Sequence, residues 1–268
     1  MMAARDTALI TGASSGIGEA LALVYAQHQY NLILVARNES KLETLAAQLR
    51  KTHGIDVTIK LCDLSIADNV NALCQSLLAD NRQIDVLVNN AGMVAHGAFA
   101  TIPVEEHQRI VQLNVFATTT MLAYFLPPML KRGSGRVLNI ASLGAFQPLP
   151  SVASYAASKA FVLSLTESLA EEVRGSGVSV TAVCPGLTKT NMVANAQKKS
   201  AALQKIPDFV MGDANTVAQK AFHACHNGKA LTVPGIRNII ASIVSRATPK
   251  WLVRRVTGFV GRATLSQS

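Results

Sequence analysis

At 268 residues, with 49% apolar and 15% charged positions, the chain is long enough for one well-buried α/β domain and short for two, and it is too apolar to be a disordered segment. The formal net charge of +9 would fit a nucleic-acid binder if it formed a defined patch. Lys220, Lys229, Arg237, Arg246, Lys250, Arg254, Arg255 and Arg262 all follow the last acidic residue, Asp213, so the body is nearly neutral and nucleic acid is not an expected partner.

Short β-branched apolar runs alternate with longer stretches of helical periodicity. The runs are Ala8 to Thr11, Asn31 to Ala36, Asp56 to Leu61, Val86 to Val88, Arg136 to Ile140, Val178 to Val183 and Ala230 to Val233. Seven parallel strands with helices on both faces are expected, in a doubly wound Rossmann-type α/β sheet. Residues 1–234 read as the dinucleotide-binding catalytic domain. Residues 235–268 read as a basic amphipathic helical extension packed on it. Ligands of such a sheet sit at the carboxyl ends of the strands, so the chemistry is sought there.

The first strand runs into Thr11-Gly12-Ala13-Ser14-Ser15-Gly16-Ile17-Gly18 and then a helix over Gly18 to His28. Glycines at 12, 16 and 18 permit a tight turn that brings a diphosphate to the backbone N–H groups of a helix N-terminus. A glycine-rich turn without a ligand is the plain alternative. The second strand ends at Arg37, where a fold that prefers the unphosphorylated dinucleotide usually places an acid for the ribose 2′-hydroxyl. A guanidinium there, beside the hydroxyls of Ser14 and Ser15, suits a 2′-phosphate, so NADP(H) is the expected cofactor; a solvated surface arginine is the alternative. The helix Glu39 to His53 leads to the third strand and Cys62-Asp63-Leu64. Asp63 either accepts from an adenine amino group or caps the helix Ile66 to Asp80, and both roles are compatible. At the end of the fourth strand Asn90, Ala91 and Gly92 let the chain lie against the ribose.

The helical stretch Val104 to Leu126 carries Asn114, placed to bind a water between solvent and a lysine as a proton relay. Ser142 follows the fifth strand at its carboxyl edge. In Ser154-Tyr155-Ala156-Ala157-Ser158-Lys159, Tyr155 and Lys159 are four apart and share a helix face. An isolated pair of this kind is often only an amphipathic surface feature. Beside Ser142, an ammonium that lowers the phenol's pKa makes Tyr155 an acid/base for a carbonyl or alcohol oxygen. The sixth strand ends in Pro185-Gly186-Leu187-Thr188-Lys189-Thr190.

The order TGxxxGxG, NNAG, asparagine, serine, YxxxK and Pro-Gly, over residues 7 to about 190, resembles the short-chain dehydrogenase/reductase family. The resemblance implies Ser142, Tyr155 and Lys159 as a catalytic triad with Asn114 as a fourth member, and Lys159 holding the nicotinamide ribose. It implies that the segment from Pro185 and Gly186 fixes the nicotinamide carboxamide and diphosphate, with Thr188 and Thr190 in contact. It also implies a homodimer or homotetramer through the helices of Asn114 and Tyr155, whose outward apolar residues include Phe116, Met121, Phe161 and Leu165. The expected activity is NADP(H)-dependent carbonyl/alcohol interconversion. A non-catalytic dinucleotide sensor or scaffold is the alternative, although all four catalytic positions are present.

A substrate-covering segment is expected over Met192 to Met211. Leu143, Phe146, Leu149, Met192, Val193, Phe209 and Met211 would line an apolar pocket for a hydrophobic small molecule, unless they are ordinary core and loop residues. In the tail, Ile236, Ile239, Ile240, Ile243 and Val244 recur at helical spacing. Past Pro249, Leu252, Val256 and Phe259 resume it, with Arg254, Arg255 and Arg262 opposite. Two short helices follow, whose basic faces either touch an anionic membrane or stay solvated while the apolar faces pack. Cys62, Cys74, Cys184 and Cys225 read as small core residues of a reducing compartment. No membrane-spanning run and no signal sequence are expected, and the location is cytoplasmic or peripheral to a membrane. His223, Cys225 and His226 lie in one helix without convergent ligands, so no metal is expected.

Overall fold

A computed structural model describes residues 5–80, 82–191, 193–194 and 211–265, with backbone alone at 250 and 259–265. The strands β1 (Thr7–Thr11), β2 (Asn31–Ala36), β3 (Val57–Leu61), β4 (Val86–Asn89), β5 (Gly135–Ile140), β6 (Val178–Val183) and β7 (Leu231–Thr232) form one parallel sheet in the order 3-2-1-4-5-6-7. Every residue of β1 and β4 is buried, as continuous apolar runs require when helices cover both faces. The order reverses between β1 and β4, where Leu9 pairs with Ile33 on one side and Leu87 on the other. At such a switch point the two neighbouring loops part and leave a crevice.

One face is covered by α1 (Gly16–Gln27), α2 (Glu39–His53) and α7 (Ala214–His226). Leu21, Tyr25, Leu42, Leu49 and Phe222 fill that layer. Local signals set the ends of these helices. Asn38 Oδ1 accepts from Lys41 N at 2.9 Å to start α2, Gly54 ends it with φ 61°, and Asp213 Oδ2 accepts from Thr216 N at 2.8 Å to start α7. The other face is covered by α3 (Ala67–Ala79), α4 (Val104–Val111), α5 (Ala117–Arg132) and α6 (Ala153–Glu172), over Leu77, Phe125, Met129 and Val180. Cys62, Cys74, Cys184 and Cys225 are all free and buried.

The helix expected to stop at Leu126 instead continues to Arg132 through Pro127 and Pro128 and ends at Gly133, φ 67°. The prolines remove two N–H donors, but Leu126 and Met129 are buried on the sheet and carry the helix through. Met121, expected to face outward, is 1% exposed with its Sδ 3.3 Å from Cys74 Sγ, and Leu165 is half-buried. Of that group Phe161 is exposed, at 43%, and Phe116 is half-buried. Between α4 and α5, Gln112–Phe116 winds as one π turn. By length and hydropathy Val104–Arg132 matches a membrane span, contrary to the expectation that no stretch would, yet its core side chains pack on the sheet.

The chain ends in α8 (Ile236–Ala247) and α9 (Lys250–Leu265). The helix α8 rests on a short 3₁₀ turn at Leu143–Phe146, through Ser245 Oγ donating to Phe146 O at 3.2 Å and the Arg246 guanidinium 5.5 Å from the Phe146 ring centre.

Candidate active site

A cleft of about 980 Å³ opens at the carboxyl ends of the strands, over the switch point. It is lined at one end by Gly12, Ser14, Ser15, Gly16 and Ile17, with Arg37, Asp63 and Leu64 beside them. Asn90, Ala91 and Gly92 form its floor. Ser142, Tyr155, Lys159, Pro185, Gly186, Thr188 and Thr190 line the far end. Gly18 and Asn114, singled out from the sequence as cofactor-binding and catalytic residues, do not line it.

Gly18 works from behind the turn. A Cβ there would lie 2.2 Å from Gly12 O and 2.5 Å from Asn90 Nδ2, so its bare backbone lets α1 close against the loop. Asn90 staples the same loop, donating to Thr11 O at 2.9 Å and Gly12 O at 3.3 Å, while Thr11 Oγ1 accepts from the N–H groups of Asn90 and Ala91. Ser15 opens α1 in extended conformation and its hydroxyl caps no N–H of the helix. The first-turn N–H groups are therefore available to an anion in the cleft, with the helix's positive end behind them.

Beside the glycine turn, Arg37 Nη1 stands 3.5 Å from Asp63 Oδ2. Asp63 Oδ1 accepts from Ser65 N at 2.9 Å and Ser65 Oγ at 2.6 Å, so this carboxylate shapes the start of α3. Burial works to raise the Asp63 carboxyl, but the Ser65 bonds and Arg37 outweigh it and hold the group below its ordinary range. The Arg37 side chain is 62% exposed, so the pair is a weak surface contact that a phosphate can displace.

At the far end, Tyr155 and Lys159 sit one turn apart on α6 and both face the cleft. Lys159 Nζ donates to Ile140 O at 2.8 Å, and burial pulls its pKa down to about 8. For the Tyr155 phenol the net direction is opposite to the lowering expected from the ammonium, because burial outweighs it. Burial pushes Tyr155 above its ordinary value, the Ser142 hydroxyl draws it back, and the nearby Cys184 thiol adds to the rise. Near neutral pH the phenol therefore keeps its proton while the amine keeps most of its charge. Ser142 opens the 3₁₀ turn, its Oγ accepting from Gly144 N at 3.1 Å.

Asn114 lies one layer deeper, 1% exposed, in the π turn. Its Oδ1 accepts from Met93 N at 2.9 Å, and its Nδ2 donates to Met93 O at 3.0 Å and Ser158 Oγ at 2.9 Å. A Cβ on Gly92 would lie 3.3 Å from both Asn114 Oδ1 and Lys159 Nζ, so Gly92 keeps these two groups facing across a narrow gap. An extra residue in a helix re-aims its side chains, and here it turns Asn114 inward.

His96 and Gln147, which no sequence motif marks, also line the cleft, and Ser151 joins them in the unusual left-handed conformation, φ 71°. His96 and Ser151 come from two loops tied by Gly97 N donating to Ser151 O at 2.9 Å. Burial lowers the pKa of His96, keeping the ring neutral at pH 7. The available signal was position, since His96 follows the fourth strand by a few residues. Leu143, Leu149, Val193 and Met211 also line the cleft, whereas Phe146 packs under α8. Met192 and Phe209 lie outside the described residues. Val256 and Thr257 of α9 complete the wall.

A family model described as short chain dehydrogenase matches residues 6–201. An uncharacterized oxidoreductase of Staphylococcus epidermidis is 34% identical over 210 residues, covering 76% of this chain and 88% of its own. A 3-oxoacyl-(acyl-carrier-protein) reductase of Rickettsia prowazekii is 32% identical over 229 residues, covering 84% and 92%. Among solved structures, a short-chain dehydrogenase from Sphingobium yanoikuyae in complex with NADPH superposes with a TM-score of 0.80 at 31% identity, covering 96% of this chain and 93% of its own.

Proposed function

The chain belongs to the short-chain dehydrogenase/reductase family, and from that premise we propose that it is an NADP(H)-dependent oxidoreductase interconverting a hydrophobic ketone and its secondary alcohol. The observation that carries this reading is the inner end of the cleft, where a protonated phenol and a serine hydroxyl face the same space beside a buried amine.

The lining fits the cofactor on this chain's own features. The α1 turn offers uncapped N–H groups for a diphosphate, Arg37 stands at the rim for a 2′-phosphate, and Ala91 and Gly92 leave room for a ribose. NADPH supplies hydride when bound. The residues supply the rest. Ser142 and Tyr155 hold the carbonyl oxygen by two hydrogen bonds, and Tyr155 gives that oxygen its proton as negative charge develops there. The Lys159 charge would offset part of the cost of the phenolate that remains and would hold the ribose hydroxyls of the cofactor. Asn114 fixes the loop at Met93 and the Ser158 hydroxyl, so it acts here as a positioning group for α6 and the floor of the cleft. In oxidation the phenolate takes the proton back.

The Sphingobium structure holds NADPH and the Rickettsia relative is named for 3-oxoacyl reduction, and both agree with this reading. Leu143, Leu149, Val94, Val193, Met211 and Val256 make the outer cleft apolar, which favours an acyl chain or ring system over a sugar. The test is NADPH absorbance across bulky ketones, 3-oxoacyl thioesters, steroids and small polar aldehydes. The reading expects turnover on the apolar members with NADPH well ahead of NADH. Equal use of the two coenzymes removes the role given to Arg37, and no turnover on any member removes the activity.

A further inference from the structure

The helix α8 is built inside out. Its uncharged polar residues face the body: Asn238 Nδ2 donates to Pro234 O at 2.6 Å with the side chain lying against Gly186, Ser242 is 5% exposed, and Ser245 donates to Phe146 O. Its large apolar residues face away. Ile236 is 70% exposed, and Ile240, Ile243 and Val244 each more than half. The surface continues onto α9 through Trp251, Leu252 and Val256. Isolated exposed leucines need no account, but an apolar stripe along two successive helices marks a contact surface.

Charge identifies the partner. Arg237, Arg254 and Arg255 are exposed on the same two helices, and no aspartate or glutamate occurs after Asp213. A second copy of the chain, paired about a twofold axis, would bring these arginines against each other with no carboxylate in the tail to receive them. An anionic lipid surface meets both requirements, taking isoleucines and tryptophan at the headgroup boundary and arginines at the phosphates. We infer that α8 and α9 form an interfacial platform that docks the protein on an anionic bilayer, with the mouth of the cleft at the contact.

The helix α9 reaches back over the cleft. Val253 is 9% exposed and anchors the helix, while Val256 and Thr257 line the cavity. One helix therefore touches both the docking surface and the substrate end of the site. An apolar substrate would pass from the bilayer into the cleft without crossing bulk water. That route, unlike the docking itself, depends on the reductase activity proposed above.

The test is flotation of the full chain with vesicles of phosphatidylcholine alone and of phosphatidylcholine mixed with phosphatidylglycerol, at low and high salt. Two double variants accompany it, Arg254→Glu/Arg255→Glu and Ile240→Asp/Ile243→Asp, neither of which touches the cleft. The expected result is binding to the mixed vesicles alone, weakened by salt and by about tenfold or more in each variant, with melting temperatures unchanged. No binding to the mixed vesicles, or equal binding to both kinds, overturns the docking. So does full binding by the aspartate variant. A fall in oligomer mass in that variant, with no vesicle binding by the parent, assigns the surface to a second copy instead. A chain that floats but oxidises no NADPH keeps the docking and removes the activity.

Discussion

The helix α1 and the helix α8 pack on the body by opposite kinds of residue. Leu21, Val24 and Tyr25 of α1 point into the sheet and are buried, while its N-terminal N–H groups open to the cavity. In α8 the isoleucines point to solvent, and asparagine and serine hold the helix to the body. Periodicity establishes that a helix has two faces. Which face turns inward depends on what the neighbouring elements offer, and a sheet of valine and leucine receives α1 where a short polar-backed turn at Leu143–Phe146 receives α8.

Substitutions sharpen that contrast. The largest effect expected is at Gly18→Ala, where the added carbon meets the backbone carbonyl of Gly12 and neither side can yield. A loss of about 3 kcal/mol in unfolding free energy is expected, with NADPH affinity lost as the turn opens. Leu21→Ala, on the inward face of α1, is expected to cost roughly 3 kcal/mol by cavity formation. Chemical denaturation checks both, and costs under about 1 kcal/mol at both positions would mean that α1 does not pack as described.

Lys159 is expected to act with the opposite sign. Its folded pKa, about 8, lies below the ordinary lysine value, so folding disfavours the charged form. That cost is complete below about pH 8 and fades as pH rises towards about 10.4, where the unfolded chain also loses the proton. Lys159→Met is therefore expected to be more stable than the parent at pH 7 by roughly 2 kcal/mol, after allowing for the lost bond to Ile140 O, and the gap closes by about pH 10. Melting curves across that range decide it, and an unchanging gap would show that the amine is not the titrating group. The smallest effect belongs to the tail. Ile243→Ala is expected to shift stability by less than about 0.5 kcal/mol, against roughly 3 for the matching change in α1, and a large loss would mean that α8 packs by its apolar face.

The fold class, the seven strands and most of the cleft were legible because they rest on local pattern: continuous apolar runs for buried parallel strands, glycines at a strand-to-helix turn, and a tyrosine and lysine one turn apart. What was not legible depends on distant parts meeting. His96 and Ser151 come together through a bond between two loops far apart in the chain, and Val256 arrives from a helix beyond the last strand. The π turn at Asn114 leaves no mark in a three-to-four residue apolar period. A neighbouring lysine predicts a lowered phenol, whereas burial by the whole cleft decides its direction. The Arg37–Asp63 contact likewise joins two strand ends that sequence reading treated as separate ligand groups.

Proton delivery to substrate by Tyr155 is the step on which the proposed reaction turns. Its direct measurement is the single-turnover rate of NADPH oxidation on the best ketone of the panel, for the parent and Tyr155→Phe, each saturated with cofactor. A fall of about 100-fold or more with NADPH still bound is the predicted result. A phenylalanine variant that turns over within a few-fold of the parent would contradict it.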